Sequence, residues 1–145
     1  MEQSIFKSYD IRGIYPKELD KKIAFKIGQA FIDITGAKKV AVARDARLSG
    51  EELLKALTDG IMASGADVFD VGQVPTECLY FAVGGYDFDA GIMITASHNP
   101  KKYNGFKMLK KQGKDISIIR GKDLLSFLES FSKDKKVFSK KGGLV

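Results

Sequence analysis

The sequence predicts an α/β protein, a three-layer α/β/α sandwich around a mostly parallel, mixed central sheet. Three observations carry that reading. Short apolar runs of strand length alternate with longer amphipathic runs of helical period. The stretch between successive strand runs is long enough to return the chain to the same end of a sheet, as parallel pairing requires. Each helical run has one apolar face, which must be buried against another layer.

Taken in order, Ile5 to Ile11 reads as a first strand leading into Arg12-Gly13, where glycine permits a sharp turn. Pro16 ends the loop before a helix. From Lys17 to Thr35 the residues Leu19, Ile23, Ile27, Ala30, Phe31 and Ile34 recur at helical spacing, and Gly36 stands where a C-cap glycine belongs. Val40 to Ala43 is a short buried strand, with Arg44-Asp45 at its end as an ion pair. Ser49-Gly50-Glu51-Glu52 fits a capping box, in which the serine hydroxyl meets the Glu52 amide and the Glu52 side chain reaches back. The helix it opens presents Leu53, Leu54, Leu57 and Ile61, and Gly65 closes it.

Asp67 to Val71 alternates like a strand. Pro75 suits the first turn of a helix carrying Leu79, Tyr80 and Val83, which Gly84-Gly85 ends. Ala90 to Thr95 is a buried strand, Phe106 to Leu109 a further short one, and Lys111 to Lys114 a turn. Leu124, Phe127, Leu128 and Phe131 mark a last helix. Residues 1–131 form one domain, and 132–145 read as a basic tail or a truncated linker to a missing second domain.

Composition narrows the function classes. At 145 residues, with 44% hydrophobic and 29% charged residues, one globular domain with a real core is expected. No apolar run approaches the roughly 20 residues that cross a bilayer, and the start lacks a signal peptide's layout, so a cytoplasmic protein with no membrane partner is expected. The single cysteine, Cys78, has no partner for a disulfide or zinc pattern and reads as a small core residue. Twenty-four Lys+Arg against 18 Asp+Glu give a net charge of +6, which favours anionic partners. Lys101, Lys102, Lys107, Lys110, Lys111 and Lys114 flank one loop, but no aromatics interleave with them and no nucleic-acid motif appears, so nucleic acid is not the expected partner.

That loop is Thr95-Ala96-Ser97-His98-Asn99-Pro100, followed by Lys101-Lys102-Tyr103-Asn104-Gly105-Phe106-Lys107. Asn99-Pro100 favours one turn and Asn104-Gly105 a second, holding a small hydroxyl residue in a compact loop with open backbone N–H groups. Such a loop suits a phosphate. Arg12, Arg44 and Ser97 each follow a strand, so they share the rim where ligands sit in open α/β sheets. From the residues alone, Ser97 is also readable as an ordinary loop serine and Lys107 as a surface lysine. Arg12 is readable as the ion-pair partner of Asp10, as a guanidinium aimed at phosphate oxygens, or as both. Asp87-Phe88-Asp89 precedes a strand and reads as its cap.

The serine loop with its trailing Tyr103-Asn104-Gly105-Phe106-Lys107 resembles the phosphoserine loop of the α-D-phosphohexomutase superfamily, which includes phosphomannomutase and phosphoglucomutase. Tyr9-Asp10-Ile11-Arg12-Gly13 resembles the family's N-terminal segment, and Ala43-Arg44-Asp45-Ala46-Arg47-Leu48-Ser49-Gly50 another of its stretches. The resemblance covers the first of the family's four domains. It implies that Ser97 carries a phosphate which passes to a phosphosugar hydroxyl, giving a bisphosphorylated sugar that turns over and returns its other phosphate. The net result is exchange between hexose 1-phosphate and hexose 6-phosphate, with mannose and/or glucose as the sugar.

By the same resemblance Lys107 is a cationic stabiliser or proton carrier, and Arg12 and Tyr9 orient substrate. From the residues themselves His98, the sole histidine, is readable as a general base to Ser97, but neighbours in a turn rarely aim at each other. It is therefore placed in the catalytic set as shaping the loop or contacting phosphate, and Asn99 belongs to the substrate-binding set. Ser97, through its phosphate, is one ligand of a Mg²⁺ ion whose other ligands, an Asp-x-Asp-x-Asp loop of a second domain, have no match in these residues. A hexose bisphosphate activator and the remaining domains of a longer enzyme are implied as partners. The expectation is that the chain alone is inactive. Runner-up readings are a phosphoglucosamine mutase domain, a non-catalytic phosphosugar-binding module and a basic nucleic-acid binder.

Overall fold

A computed structural model describes residues 2–131 and 143–144, which form six strands, four helices and one short 3-10 turn. The strands are β1 (Ile11–Ile14), β2 (Lys39–Arg44), β3 (Asp67–Gln73), β4 (Ala90–Ile94), β5 (Tyr103–Gln112) and β6 (Asp115–Ile119). The helices are α1 (Lys21–Thr35), α2 (Gly50–Ala63), α3 (Thr76–Gly85) and α4 (Gly121–Phe131). Sheet order is β1-β5-β4-β2-β3, with β6 pairing β5 beyond the end of β1. β2 is parallel to both β3 and β4, while β5 is antiparallel to β4, β1 and β6. Only β5 therefore runs against the common direction, and the expected mostly parallel, mixed sheet is what forms.

Two cores flank this sheet. The larger packs Phe31, Ile27 and Leu57 of α1 and α2, with Leu124 of α4, against Ile11, Val40, Val42, Ile92, Phe106 and Met108. α1 and α2 lie so close that a Cβ on Gly60 would stand 2.1 Å from the Phe25 carbonyl oxygen. The smaller core lies on the other face, where Leu79 and Val83 of α3 cover Ala41, Ala43, Met93 and Leu109. This completes the α/β/α layering.

Local signals hold at several ends. Asp20 caps α1, its Oδ1 accepting from the Ile23 amide at 2.8 Å, so that helix starts four residues later than Lys17. Gly36 closes it at φ 65° in the left-handed region. Asp89 accepts from the Lys38 and Lys39 amides at 2.8 and 2.9 Å, tying the starts of β2 and β4 together, while Asp87 pairs with Lys39 at 2.5 Å. The acidic pair therefore has the strand-capping role its position suggests.

Elsewhere the structure corrects the sequence. Ile5 to Ile11 is not a strand: Gln3–Ile5 form a 3-10 turn, and the Lys7 amide donates to the Asp10 carbonyl as Phe6 bridges Ile11. Ile5, Phe6 and Ile11 of that run are buried as expected, but the exposed Lys7 to Tyr9 segment between them folds out as a loop, while Asp10 turns back in. The capping box does not form, because long-range partners take both side chains. Ser49 Oγ accepts from Asn104 Nδ2 at 2.8 Å, and Glu52 accepts from the Tyr15 hydroxyl.

Asn104-Gly105 is not a turn either. Both residues are buried inside β5, and a Cβ on Gly105 would lie 2.0 Å from the Ile11 carbonyl oxygen. Glycine is there so that β1 can approach. β5 also runs well past Phe106–Leu109, pairing with β6, a strand without counterpart in the sequence reading. Cys78 is exposed rather than in the core. The tail at 132–145 lies outside the described residues except at the edge of β3, where the Val68 amide donates to Gly143 and Leu144 bridges Val68. The Phe131 side chain also lies outside the description.

Candidate active site

Strand alternation places the first two cations. Ile11, Phe106 and Met108 point into the larger core, so their neighbours Arg12 and Lys107 point to the opposite face. Arg12 pairs across the sheet with Gly105, two residues from Lys107, which brings both cations to Asp10. Asp10, its side chain only 7% exposed, accepts on Oδ2 from Arg12 Nε at 2.7 Å and from Lys107 Nζ at 3.3 Å. Arg12 Nη1 reaches on to Asn99 Oδ1 at 2.8 Å. These residues line an open cleft of about 900 Å³ with Tyr9, Glu18 and Tyr103. Tyr9 is 71% exposed, so its ring stands free at the cleft.

Ser97 sits on the loop above. β4 ends at Ile94, Thr95 and Ala96 remain buried, and Ser97 and His98 emerge as exposed residues. Neither lines the cleft. Their connection to it is Asn99, two residues beyond Ser97 and bonded to Arg12. Ser97 has φ 52°, the sole left-handed non-glycine residue among those described. For a residue with a Cβ that conformation costs roughly 1–2 kcal/mol, so neighbouring bonds must hold it. The loop amides are less open than expected. Ser97 N–H donates to Thr95 Oγ1 at 3.0 Å and Asn99 N–H to the Ala96 carbonyl at 3.0 Å.

The residue that sequence reasoning missed is Arg47. Its guanidinium donates to the carbonyl oxygens of Ser97, Asn99, Pro100 and Tyr103 at 2.7 to 3.0 Å, and Nε donates to Asp45 Oδ2 at 3.2 Å. Asp45 is therefore the partner of Arg47 and of the Thr95 hydroxyl, not of Arg44, which bonds Gln73 at 2.8 Å and the Asp45 carbonyl at 3.5 Å. Its available signal was two arginines flanking an aspartate just past a strand. On the far side of the loop the Tyr15 amide donates to Lys102, and Glu52 pushes the Tyr15 phenol up to about 12 through their hydrogen bond. Lys101 and Lys102 lie in the turn between the serine loop and β5, but Lys110, Lys111 and Lys114 stand at the other end of β5. At about 3.3 Å per residue, Lys111 lies roughly 26 Å along the strand from Tyr103.

An exposed hydroxyl held past a strand end, with an arginine, a lysine and an asparagine linked beneath it, is equipped to receive an anion. A family model described as phosphoglucomutase/phosphomannomutase, alpha/beta/alpha domain I, matches residues 3–129. The chain belongs to this family.

Relatives place this domain I further. It is 46% identical over 112 residues to a protein named phosphomannomutase from Klebsiella pneumoniae, covering 77% of this chain and 71% of that one. A phosphomannomutase from Escherichia coli is also 46% identical over 112 residues, but there the chain spans only 25% of the relative's length. A crystal structure of a phosphoglucomutase/phosphomannomutase family protein from Burkholderia thailandensis superposes with a TM-score of 0.85 at 43% identity, covering 100% of this chain and 33% of that one. The chain thus spans about a quarter to a third of the length of the Escherichia coli and Burkholderia thailandensis proteins.

Among the described residues no group of three or more His, Cys, Asp or Glu side chains is arranged to hold a metal ion. The residues present do not by themselves fit magnesium, which takes near-octahedral oxygen ligation.

Proposed function

We propose that this chain is the phosphoserine-bearing domain of a phosphohexomutase that exchanges hexose 1-phosphate and hexose 6-phosphate, with mannose and/or glucose as the sugar. The observation that supports it most is the link from the strained, exposed Ser97 through Asn99 to the Arg12–Asp10–Lys107 cluster. Phosphoryl transfer asks a protein mainly to position groups and to neutralise charge. In the proposed cycle a sugar hydroxyl attacks the phosphorus on Ser97 Oγ, the P–Oγ bond breaks, and the attacking hydroxyl's proton leaves as the serine oxygen regains one. The bound bisphosphate then turns over and the reverse step reloads Ser97.

In this reading Arg12 grips phosphate oxygens with the N–H groups that Asp10 and Asn99 leave free, and Lys107 offsets charge or carries the proton. Tyr9 contacts the sugar, and His98 contacts the phosphate at the loop tip. The relatives' names favour the phosphomannomutase/phosphoglucomutase branch over phosphoglucosamine. Magnesium and a hexose bisphosphate activator belong to the longer enzyme, with Ser97's phosphate as one ligand, and no step above runs through the metal. The chain alone lacks a closed site and is proposed to be inactive and cytoplasmic.

Intact mass of the purified protein tests the central step. The expected result is one added phosphoryl group when the chain is joined to the remaining domains of the longer enzyme and exposed to glucose 1,6-bisphosphate with Mg²⁺, absent from Ser97→Ala. A wild-type protein completed in this way that never gains it sinks the reading, and steady turnover of glucose 1-phosphate by this chain alone sinks the claim of inactivity.

A further inference from the structure

Arg47 carries charge beside the serine loop, yet it has nothing left to offer a ligand. A guanidinium has five N–H donors. Here Nη1 serves the Pro100 and Tyr103 carbonyls, Nη2 serves the Ser97 and Asn99 carbonyls, and Nε serves Asp45. Its side chain is only 12% exposed, with the bonds to Asp45, Asn99 and Tyr103 part-buried and those to Ser97 and Pro100 at the exposed tip of the loop. Arg12 differs, since it bonds only Asp10 and Asn99 and faces the cleft.

The two sides of Ser97 are held by one assembly. On the carbonyl side Arg47 Nη2 binds Ser97 O at 2.9 Å. On the amide side Ser97 N–H binds Thr95 Oγ1, whose hydroxyl donates to Asp45 Oδ2, the oxygen that also takes Arg47 Nε. Asp45 Oδ1 closes the unit by accepting from the Arg47 amide at 3.0 Å. Between these grips lies the left-handed φ of 52° that a serine does not adopt unassisted. A loop with four of its carbonyls drawn inward onto one cation presents its hydroxyl outward.

We propose that Arg47, oriented by Asp45, is the positioning residue of the serine loop: it holds Ser97 in the left-handed conformation that presents the hydroxyl to phosphate, and itself touches no substrate. This rests on the proposed role of Ser97. Lysine is a poor substitute, because three donors on one nitrogen cannot span four carbonyls and a carboxylate.

The test uses the whole 145-residue chain, isotope-labelled, as wild type, Arg47→Gln, Arg47→Lys and Thr95→Val. In the wild type the expected results are slow exchange of the Ser97 amide for an exposed residue, carbon shifts of a left-handed backbone, and glucose 1-phosphate shifts at Ser97, His98 and Lys107. Both Arg47 variants should speed Ser97 amide exchange by roughly tenfold or more, lose the left-handed shifts and weaken glucose 1-phosphate binding roughly fivefold, with amides of β2 and β4 still protected. Thr95→Val removes the amide-side grip alone and leaves the four carbonyl bonds of Arg47, so it should keep a left-handed Ser97 and most of the affinity. A folded Arg47→Gln or Arg47→Lys protein with left-handed Ser97 and wild-type affinity overturns the proposal, and so does a folded Thr95→Val protein that loses both with Arg47 intact, which decides the matter if the arginine variants do not fold. A wild type indifferent to glucose 1-phosphate counts against the proposed function instead, and the exchange and shift data still judge Arg47.

Discussion

Asp10 and Lys107 meet at 3.3 Å, on the same carboxylate oxygen that accepts from Arg12 Nε at 2.7 Å. One nearly buried anion thus sets the spacing of two cations on adjacent strands. Replacing it by Asp10→Asn leaves them half-buried and facing each other, and should lower stability by about 2 kcal/mol in urea unfolding. Inorganic phosphate, able to stand in for the lost charge, should then raise Tm more in the variant than in wild type. Equal phosphate effects in both would show that the cations do not share an anion site.

Arg12 uses two different nitrogens for two partners, Nε for Asp10 and Nη1 for Asn99. Lysine has one nitrogen at the end of a flexible stem and cannot reproduce that fork. Arg12→Lys should weaken hexose phosphate binding about tenfold, or about 1.4 kcal/mol, in calorimetric titration. The fold itself should be little changed, since Arg12 lies at the cleft and not in either core.

Gly105 lies on β5 between the Ile11 carbonyl of β1 and the Thr95 carbonyl just past β4. A Cβ there would lie 2.0 Å from Ile11 O and 3.0 Å from Thr95 O, both backbone atoms that cannot turn aside. Gly105→Ala should cost about 3 kcal/mol or more in chemical denaturation. Because Arg12 pairs with Gly105, the same change should displace Arg12 from Asn99, which shows as altered amide shifts at both residues.

The Tyr15 phenol, bonded to Glu52, is raised from the ordinary 10.0 to about 12. A raised folded value means that the neutral phenol is favoured in the native state. The stability this bond contributes is therefore complete below pH 10 and is lost as pH rises through 12. Tyr15→Phe should flatten that alkaline limb in unfolding experiments and remove the phenolate absorbance that appears near pH 12. An unchanged limb would place the loss elsewhere.

The elements that read correctly are those whose signal is local. α1 has its apolar stripe and a terminal Gly36, α3 its Pro75 start, and β4 its unbroken apolar run, each complete within one window of chain. The facing of Lys107 between Phe106 and Met108 was equally legible, since alternation needs no knowledge of neighbours. The failures share one cause. Ser49 and Glu52 match a local cap, yet Asn104 and Tyr15 lie on other elements and take them first.

By itself the sequence determined the alternation of strands and helices, the serine just past a strand end, and the resemblance on which the family assignment first rested. Tertiary structure alone decided which polar groups meet: Asn104-Gly105 as buried strand instead of turn, Asp45 given to Arg47 instead of Arg44, and Asp10 shared between two cations. The physical reason is range. Periodicity and capping act within a turn or two of chain, whereas a hydrogen bond between residues fifty positions apart, such as Arg47 to Ser97, exists only after strand register has carried them together.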